Sequence, residues 1–278
     1  MDIQDFIRLA LEEDVATGDY STLACIPEDT QGKATLKIKE DGILAGMAVA
    51  KAIFDYLEPG TAFVAHKEDG DTITKGEIAF DVVARVHTIL KAERLVLNCM
   101  QRMSGIATLT RSYADAIREY KARILDTRKT TPLFRRFEKE AVRIGGGYNH
   151  RMGLYDMVML KDNHIDYCGG IEAAIIKTNE YLRTQGLDLK IEVETRNLDD
   201  VRKVLATGQV HRIMLDNFAP GLITEAVQLI GGRFETEASG GIHLGNIVSY
   251  AATGVDFISI GALTHHAVSL DLSLKAVL

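Results

Sequence analysis

The stretch DTRKTTP at residues 126–132 follows the run RIL and sets two cations, Arg128 and Lys129, beside the acidic Asp126. Arginine offers a planar fork that matches a carboxylate or phosphate, and lysine offers a point charge, so the pair suits a small anion. Comparable groups close five further apolar runs. Lys161 follows DMVML, Glu194 ends KIEVE, Asp216 ends RIMLD, Ser239, Gly240 and Gly241 follow FETEA, and Ser259 and Gly261 close DFISIG. The segment NHR adds His150 and Arg151. Small residues let main-chain N–H groups approach a phosphate closely, so SGGI and SIGAL are expected to be phosphate cradles. Glu194 and Asp216 cannot favourably hold another anion; they suit sugar hydroxyls, a bound Mg²⁺ or a developing positive charge. Arg128, Lys129, His150, Arg151 and Lys161 suit a second ligand that carries carboxylates.

These residues need elements that bring them together. The later apolar runs recur about every 22 residues, separated by helical patterns that stop at glycine, such as NLDDVRKVLATG, which is the signature of consecutive βα units. A parallel sheet is expected, closed toward a barrel, because no nucleotide-type glycine fingerprint follows a first strand. In such a barrel the C-terminal strand ends converge on one face. The first hundred residues read differently, as an α+β module. An amphipathic helix opens it, a hairpin is expected at Asp41-Gly42 within ATLKIKEDGILAG, and KGEIAFDVVARV reads as a strand. From Thr88 a long helix is expected to end near Gly105.

The chain of 278 residues has 46% apolar content, enough for a substantial core, and a formal charge of -7. A general attraction to nucleic acid or an anionic membrane is thereby disfavoured, and any positive site must be local. Three cysteines, Cys25, Cys99 and Cys168, lack CxxC spacing, which argues against a disulfide framework or zinc knuckle and for a reducing compartment. The opening MDIQDFIRLALEED has no basic region followed by an apolar one, and GILAGMAVAKAIFDYL is interrupted by charges. A cytoplasmic protein without a membrane span is expected.

Each residue also has a plainer reading. A lone strand-end Lys or Glu is often half of a surface ion pair, SGGI can be a tight turn, and His265 and His266 read as surface residues. By its period the helix bearing QRMSG is mostly core, and Arg102 on it reads as a solvated side chain. It is the succession of six polar or small strand ends that favours a site.

Taken together, LEEDVATGDYST, ERLVLNCMQRMSGIAT, DTRKTTP, GGGYNHR, MVMLKDNH, IEVET, IMLDNF, EASGGI and DFISIGALTH closely resemble the quinolinate phosphoribosyltransferase family, whose members are also called carboxylating nicotinate-nucleotide pyrophosphorylases. The resemblance spans nearly the whole chain. It implies transfer of phosphoribosyl from phosphoribosyl pyrophosphate (PRPP) to quinolinate with Mg²⁺, giving nicotinate mononucleotide, pyrophosphate and CO₂ on the de novo route to NAD. It further implies an α/β fold, with an N-terminal α+β open-faced sandwich over residues 1–107 and an incomplete α/β barrel over 108–266, residues 267–278 returning to the sandwich. Carried over by position, Arg128, Lys129, His150, Arg151 and Lys161 resemble the grip on the quinolinate carboxylates and nearby phosphate. Glu194 and Asp216 resemble the residues facing ribose and metal, Ser239, Gly240 and Gly261 resemble positions that receive a phosphate, and Thr127, Gly241 and Ser259 are expected among the substrate-binding residues. Lys129 or Lys161 offsets charge during decarboxylation. Arg102 matches an arginine lent to a neighbouring subunit's site, which implies a homodimer and allows a hexamer. Leu133 stands where the family commonly has glycine, and Glu140 where an aromatic is common. Three alternatives remain at this point: a molybdenum-transport-associated relative with a different ligand, a Schiff-base lyase using Lys161, and a non-catalytic phosphosugar sensor.

Overall fold

The computed structural model describes residues 2–277, which gather into two compact units. One holds the chain up to Arg111, Thr131–Gly146 and everything from His266 onward; the other holds Ser112–Thr130 and Gly147–His265. No helix among the described residues is long and apolar enough to cross a membrane.

The first unit is built on a four-stranded antiparallel sheet. Its strands β1 (Gln31–Ile38), β3 (Ala62–Ala65), β5 (Ile78–Arg85) and β12 (Leu272–Val277) run in the order β12-β1-β5-β3. A two-stranded ladder joins β2 (Gly42–Ile43) to β4 (Thr72–Ile73). Because side chains alternate along a strand, Ala34, Leu36 and Ile38 of β1 and Phe80, Val82 and Ala84 of β5 share one buried face, with Leu36 opposite Phe80. Phe80 stacks on Phe63 at 4.4 Å and meets Phe54, from helix Met47–Leu57, edge-on at 6.2 Å. The other face is polar. There Asp81 accepts from Thr35 Oγ1 at 2.5 Å and pairs with Lys33 Nζ at 2.9 Å, and these partners hold its carboxyl down to about 2.

Two local expectations fail here for physical reasons. The hairpin at Asp41-Gly42 does not form, because β5 and β12 occupy both edges of β1, and β2 pairs with β4 instead. Gly105 does not cap its helix, which runs from Val86 to Ala116. Its buried residues Ala92, Val96, Met100, Met103 and Ala107 keep a helical period through that point. Gly105 is glycine for another reason: a Cβ there would run into the main-chain carbonyl of Val268, on the segment that leads to β12. Backbone geometry disfavours Leu133. It sits at φ 62°, in the left-handed region that a family glycine adopts without strain, and its side chain stays exposed.

In the second unit six parallel strands take the order β6-β11-β10-β9-β8-β7: β6 (Arg123–Leu125), β7 (Val158–Leu160), β8 (Ile191–Thr195), β9 (Arg212–Asp216), β10 (Glu235–Ser239) and β11 (Phe257–Ser259). All six expected runs are strands. Helices such as Ile171–Gln185, Leu198–Thr207 and Pro220–Ile230 connect successive strands, as βα units require. No ladder joins β6 to β7 among the described residues, so the sheet is open there, as an incomplete barrel is. Ile191, Val193, Ile213, Leu215, Ala238 and Ile258 are buried on one face. By parity Glu192, Glu194, Arg212, Met214, Asp216, Glu237 and Ser239 share the opposite face, which is therefore charged.

Candidate active site

Parallel pairing puts all the C-terminal strand ends on one edge of the sheet. Leu125 stands beside Ser259, Asp216 beside Ser239, and Leu160 beside Val193, so Lys161 and Glu194 follow as neighbours. Lys161 Nζ lies 3.9 Å from Glu194 Oε2. Burial, and then the nearby Asp216, push the Glu194 carboxyl above its ordinary value, while Lys161 opposes the shift. Two carboxylates that repel one another at a strand edge make a place for positive charge.

The cationic side is arranged in the same way. Arg151 is half-buried and donates from Nη1 to the carbonyl of Met157 at 3.2 Å. Burial, and then the Arg128 guanidinium, lower the Arg151 pKa from its ordinary value, so these two cations are close enough to repel. A ligand with two carboxylates relieves that repulsion. Thr127 Oγ1 accepts the Lys129 N–H at 3.1 Å and shapes the loop that carries Arg128 and Lys129 into solvent. The Lys129 carbonyl accepts Thr264 Oγ1 at 2.8 Å. At Gly261 a Cβ would stand 3.0 Å from His265 Nε2 and 3.1 Å from Lys129 Cδ, so glycine leaves room for both side chains. His265 is exposed, as its sequence context suggested, but it borders this strand end.

The glycine loop after β10 is held by its neighbour. Asn217, at φ 57°, donates its N–H to the Ser239 carbonyl at 2.8 Å and places its side-chain oxygen where a Cβ of Gly240 would be. Gly240 and Gly241 adopt φ 96° and 62°, conformations that favour glycine. Ser259 is buried, and its Oγ lies 3.5 Å from the Ala238 carbonyl, inside the sheet.

His150 is placed differently from its fellow cations. It is buried, with Nε2 2.9 Å from Glu192 Oε2 and 3.3 Å from Glu237 Oε2. These are electrostatic contacts rather than in-line hydrogen bonds. Nδ1 accepts the Arg151 main-chain N–H at 2.6 Å, and Asp126 Oδ1 accepts the N–H of His150 at 2.8 Å. Burial alone would lower the imidazole's pKa, but Glu192 and Glu237 outweigh it and raise it to about 9. Full protonation, however, would set an Nδ1–H against the Arg151 N–H. The geometry therefore favours a neutral ring with its proton on Nε2, and the extra proton on Glu192, whose carboxyl burial and Glu237 push up to about 7. Arg212 completes the group: Nη1 reaches Glu237 Oε2 at 2.9 Å, and Nε and Nη2 reach Glu235 Oε2 at 3.2 and 3.0 Å.

Among the described residues, His150, Glu192 and Glu237 have metal-ligand spacing, their ligand atoms lying within 4.8 Å of one another. A resident guanidinium beside a nitrogen donor is a poor setting for Mg²⁺, which prefers oxygen ligands and keeps several waters. The Glu194 and Asp216 carboxylates fit that ion better.

Arg102 belongs to the first unit. Its Nε and Nη2 donate to Glu138 Oε1 at 3.0 and 2.9 Å, and Nη1 donates to the Ala267 carbonyl at 2.8 Å. The buried Glu138 also accepts Thr131 N–H at 3.0 Å, so Arg102 is an ordered side chain rather than a solvated one. Sequence reading missed Asp126 as a support and Glu192, Glu237 and Arg212 as a layer beneath the strand ends. The available signal was parity: in IEVET and ETEAS, acidic residues recur two apart within buried strands.

Comparison with known proteins identifies the family. Family models described as quinolinate phosphoribosyl transferase match the chain over both domains, the N-terminal one at residues 19–104 and the C-terminal one at 106–275. The chain is 48% identical over 289 aligned residues to a chloroplastic nicotinate-nucleotide pyrophosphorylase (carboxylating) of Arabidopsis thaliana, covering 99% of this chain and 82% of the relative. It is similar to the crystal structure of NadC from Streptococcus pyogenes, with TM-score 0.92, 41% identity, and coverage of 98% of this chain and 95% of that one. The nicotinate-nucleotide pyrophosphorylase of Francisella tularensis gives TM-score 0.91 at 38% identity, covering 99% and 96%.

Proposed function

The chain belongs to the quinolinate phosphoribosyltransferase family, and from that premise we propose how its residues divide the work of the decarboxylating transfer. The reaction joins quinolinate and PRPP to give nicotinate mononucleotide, CO₂ and pyrophosphate, a step in NAD biosynthesis. The observation that carries the reading is the sorting of charge along one sheet edge. Arg128 and Arg151 repel each other, and so do Glu194 and Asp216, with Lys161 Nζ 3.9 Å from Glu194.

Quinolinate bears two adjacent carboxylates, and gripping both aims its ring nitrogen at the sugar carbon. Such orientation is worth about 7 kcal/mol or more in favourable intramolecular cases. Glu194 and Asp216 face the ribose, where charge becomes positive as pyrophosphate leaves. They are also the residues that would hold Mg²⁺, which when bound offsets charge on the diphosphate. Ser239, Gly240, Gly241 and Gly261, with Thr127, receive phosphate, and Ser259 backs them from within the sheet. After transfer the ring nitrogen is cationic, so loss of the adjacent carboxylate leaves a carbanion that this charge stabilises. Lys129 or Lys161 offsets charge in that step.

Incubating the protein with quinolinate, PRPP and Mg²⁺ should release CO₂ and pyrophosphate in equal amounts. Release of neither would leave a binding role only, and borohydride trapping of a carbonyl substrate on Lys161 would point to lyase chemistry.

A homodimer in which Arg102 serves the neighbouring copy's site is part of the proposal, as is a cytoplasmic setting, supported by three unpaired cysteines. The bonds to Glu138 and Ala267 fix Arg102 before any partner arrives. Mixing Arg102→Ala with Lys161→Ala chains should regain activity that neither variant has alone; verified mixed dimers that stay inactive would end the shared-site idea.

A further inference from the structure

Beneath the strand-end residues lies a second, fully buried layer that takes no part in the chemistry above. Glu192 and Glu237 are fully buried, and both reach the Nε2 side of His150, at 2.9 and 3.3 Å. On the opposite side of the ring, Nδ1 accepts the main-chain N–H of Arg151 at 2.6 Å. Asp126, also fully buried, fixes the same segment through the His150 N–H at 2.8 Å and the Asn149 side chain at 2.5 Å.

We propose that Glu192 and Glu237 are positioning residues for substrate binding: by holding the Nε2–H side of His150, they keep Nδ1 turned toward Arg151 and so fix where the Arg151 guanidinium stands. The inference rests on the reading of Arg151 as part of the carboxylate grip. A main-chain N–H can donate only to an unprotonated Nδ1, so the contact specifies one tautomer, with its proton on Nε2. The Glu237 carboxylate and the Glu192 carboxyl on that side favour this tautomer, as carboxylates behind histidines do in metal sites and triads. Arg212, bonded to Glu237 at 2.9 Å, keeps that carboxylate charged and in place. His150 is thereby coupled to Arg151, with a ring nitrogen facing a group of its own chain on either side.

The test uses the full-length protein in three measurements. Nitrogen-15 NMR of histidine-labelled, unmodified protein at neutral pH should show His150 as the Nε2–H tautomer; an Nδ1–H tautomer or an imidazolium overturns the proposal whatever the variants do. Glu192→Leu should raise KM for quinolinate roughly tenfold, the loss expected when a gripping group is misplaced, with kcat and the KM for PRPP changed far less. Glu192→Gln keeps an oxygen facing the ring and should restore the quinolinate KM to within about threefold of the parent. Equal loss of kcat and both KM values would mean a merely structural role, as would Gln and Leu behaving alike. If the parent protein does not turn over quinolinate at all, it is the functional reading that fails, while the tautomer measurement still judges the positioning geometry.

Discussion

Arg212→Met is expected to lower stability by about 3 to 5 kcal/mol, the usual cost of stranding a buried charge, with a fall in the thermal midpoint on the order of 10 °C. The side chain is almost wholly enclosed. It bonds Glu235 twice and Glu237 once, and its guanidinium carbon lies 4.1 Å over the Phe257 ring. Without it, Glu237 loses its cationic partner and must take up a proton, as Glu192 already does. The pH dependence has a definite sign. Burial opposes the ionised form of Glu237, and His150 and Arg212 hold its pKa below the ordinary value in spite of that. Removing Arg212 raises that pKa, so the defect should be larger at pH 8, where ionisation is forced, than at pH 5, where protonation relieves it. Adding Glu237→Gln to Arg212→Met should recover part of the loss. Unchanged unfolding of the single variant at both pH values would show that the charged layer does not hold the sheet together.

Arg128→Ala should cost well over tenfold in kcat/KM for quinolinate, since a charge-assisted bond is worth roughly 1.5 to 3 kcal/mol and each 1.4 kcal/mol is tenfold. The loss has an upper bound from the same geometry. Arg128 destabilises the charge on Arg151, so deleting it strengthens the remaining partner. The double variant Arg128→Ala/Arg151→Ala should therefore lose activity non-additively, as expected of groups in contact. Near-parental kcat/KM in Arg128→Ala would remove this residue from the grip.

How much of this was legible in the sequence depends on whether a feature is local. The six parallel strands and their polar ends follow from apolar runs of about the right length at regular spacing, a signal each segment carries by itself. Parity places Lys161 with Glu194 and Asp216 with Ser239 once register is known. The failures are long-range. Asp41-Gly42 looks like a hairpin until β12, from the far end of the chain, takes the edge of β1. Gly105 looks like a helix stop because its true cause, the carbonyl of Val268, lies 163 positions away in sequence, and Arg102 looks solvated because its partners Glu138 and Ala267 lie 36 and 165 positions away. His150 reads as one more cation in NHR, and only the fold reveals that it points into a layer of glutamates.

The pairing of β1 with β12 has a consequence for synthesis. Gln31–Ile38 emerges from the ribosome 234 positions ahead of Leu272–Val277 (272 − 38). Throughout translation one side of β1 therefore displays unsatisfied main-chain groups, an open edge of the kind that recruits stray strands. A nascent chain of this protein should stay vulnerable to aggregation until Leu272–Val277 has been made, and stalling shortly before residue 272 should expose that edge longest.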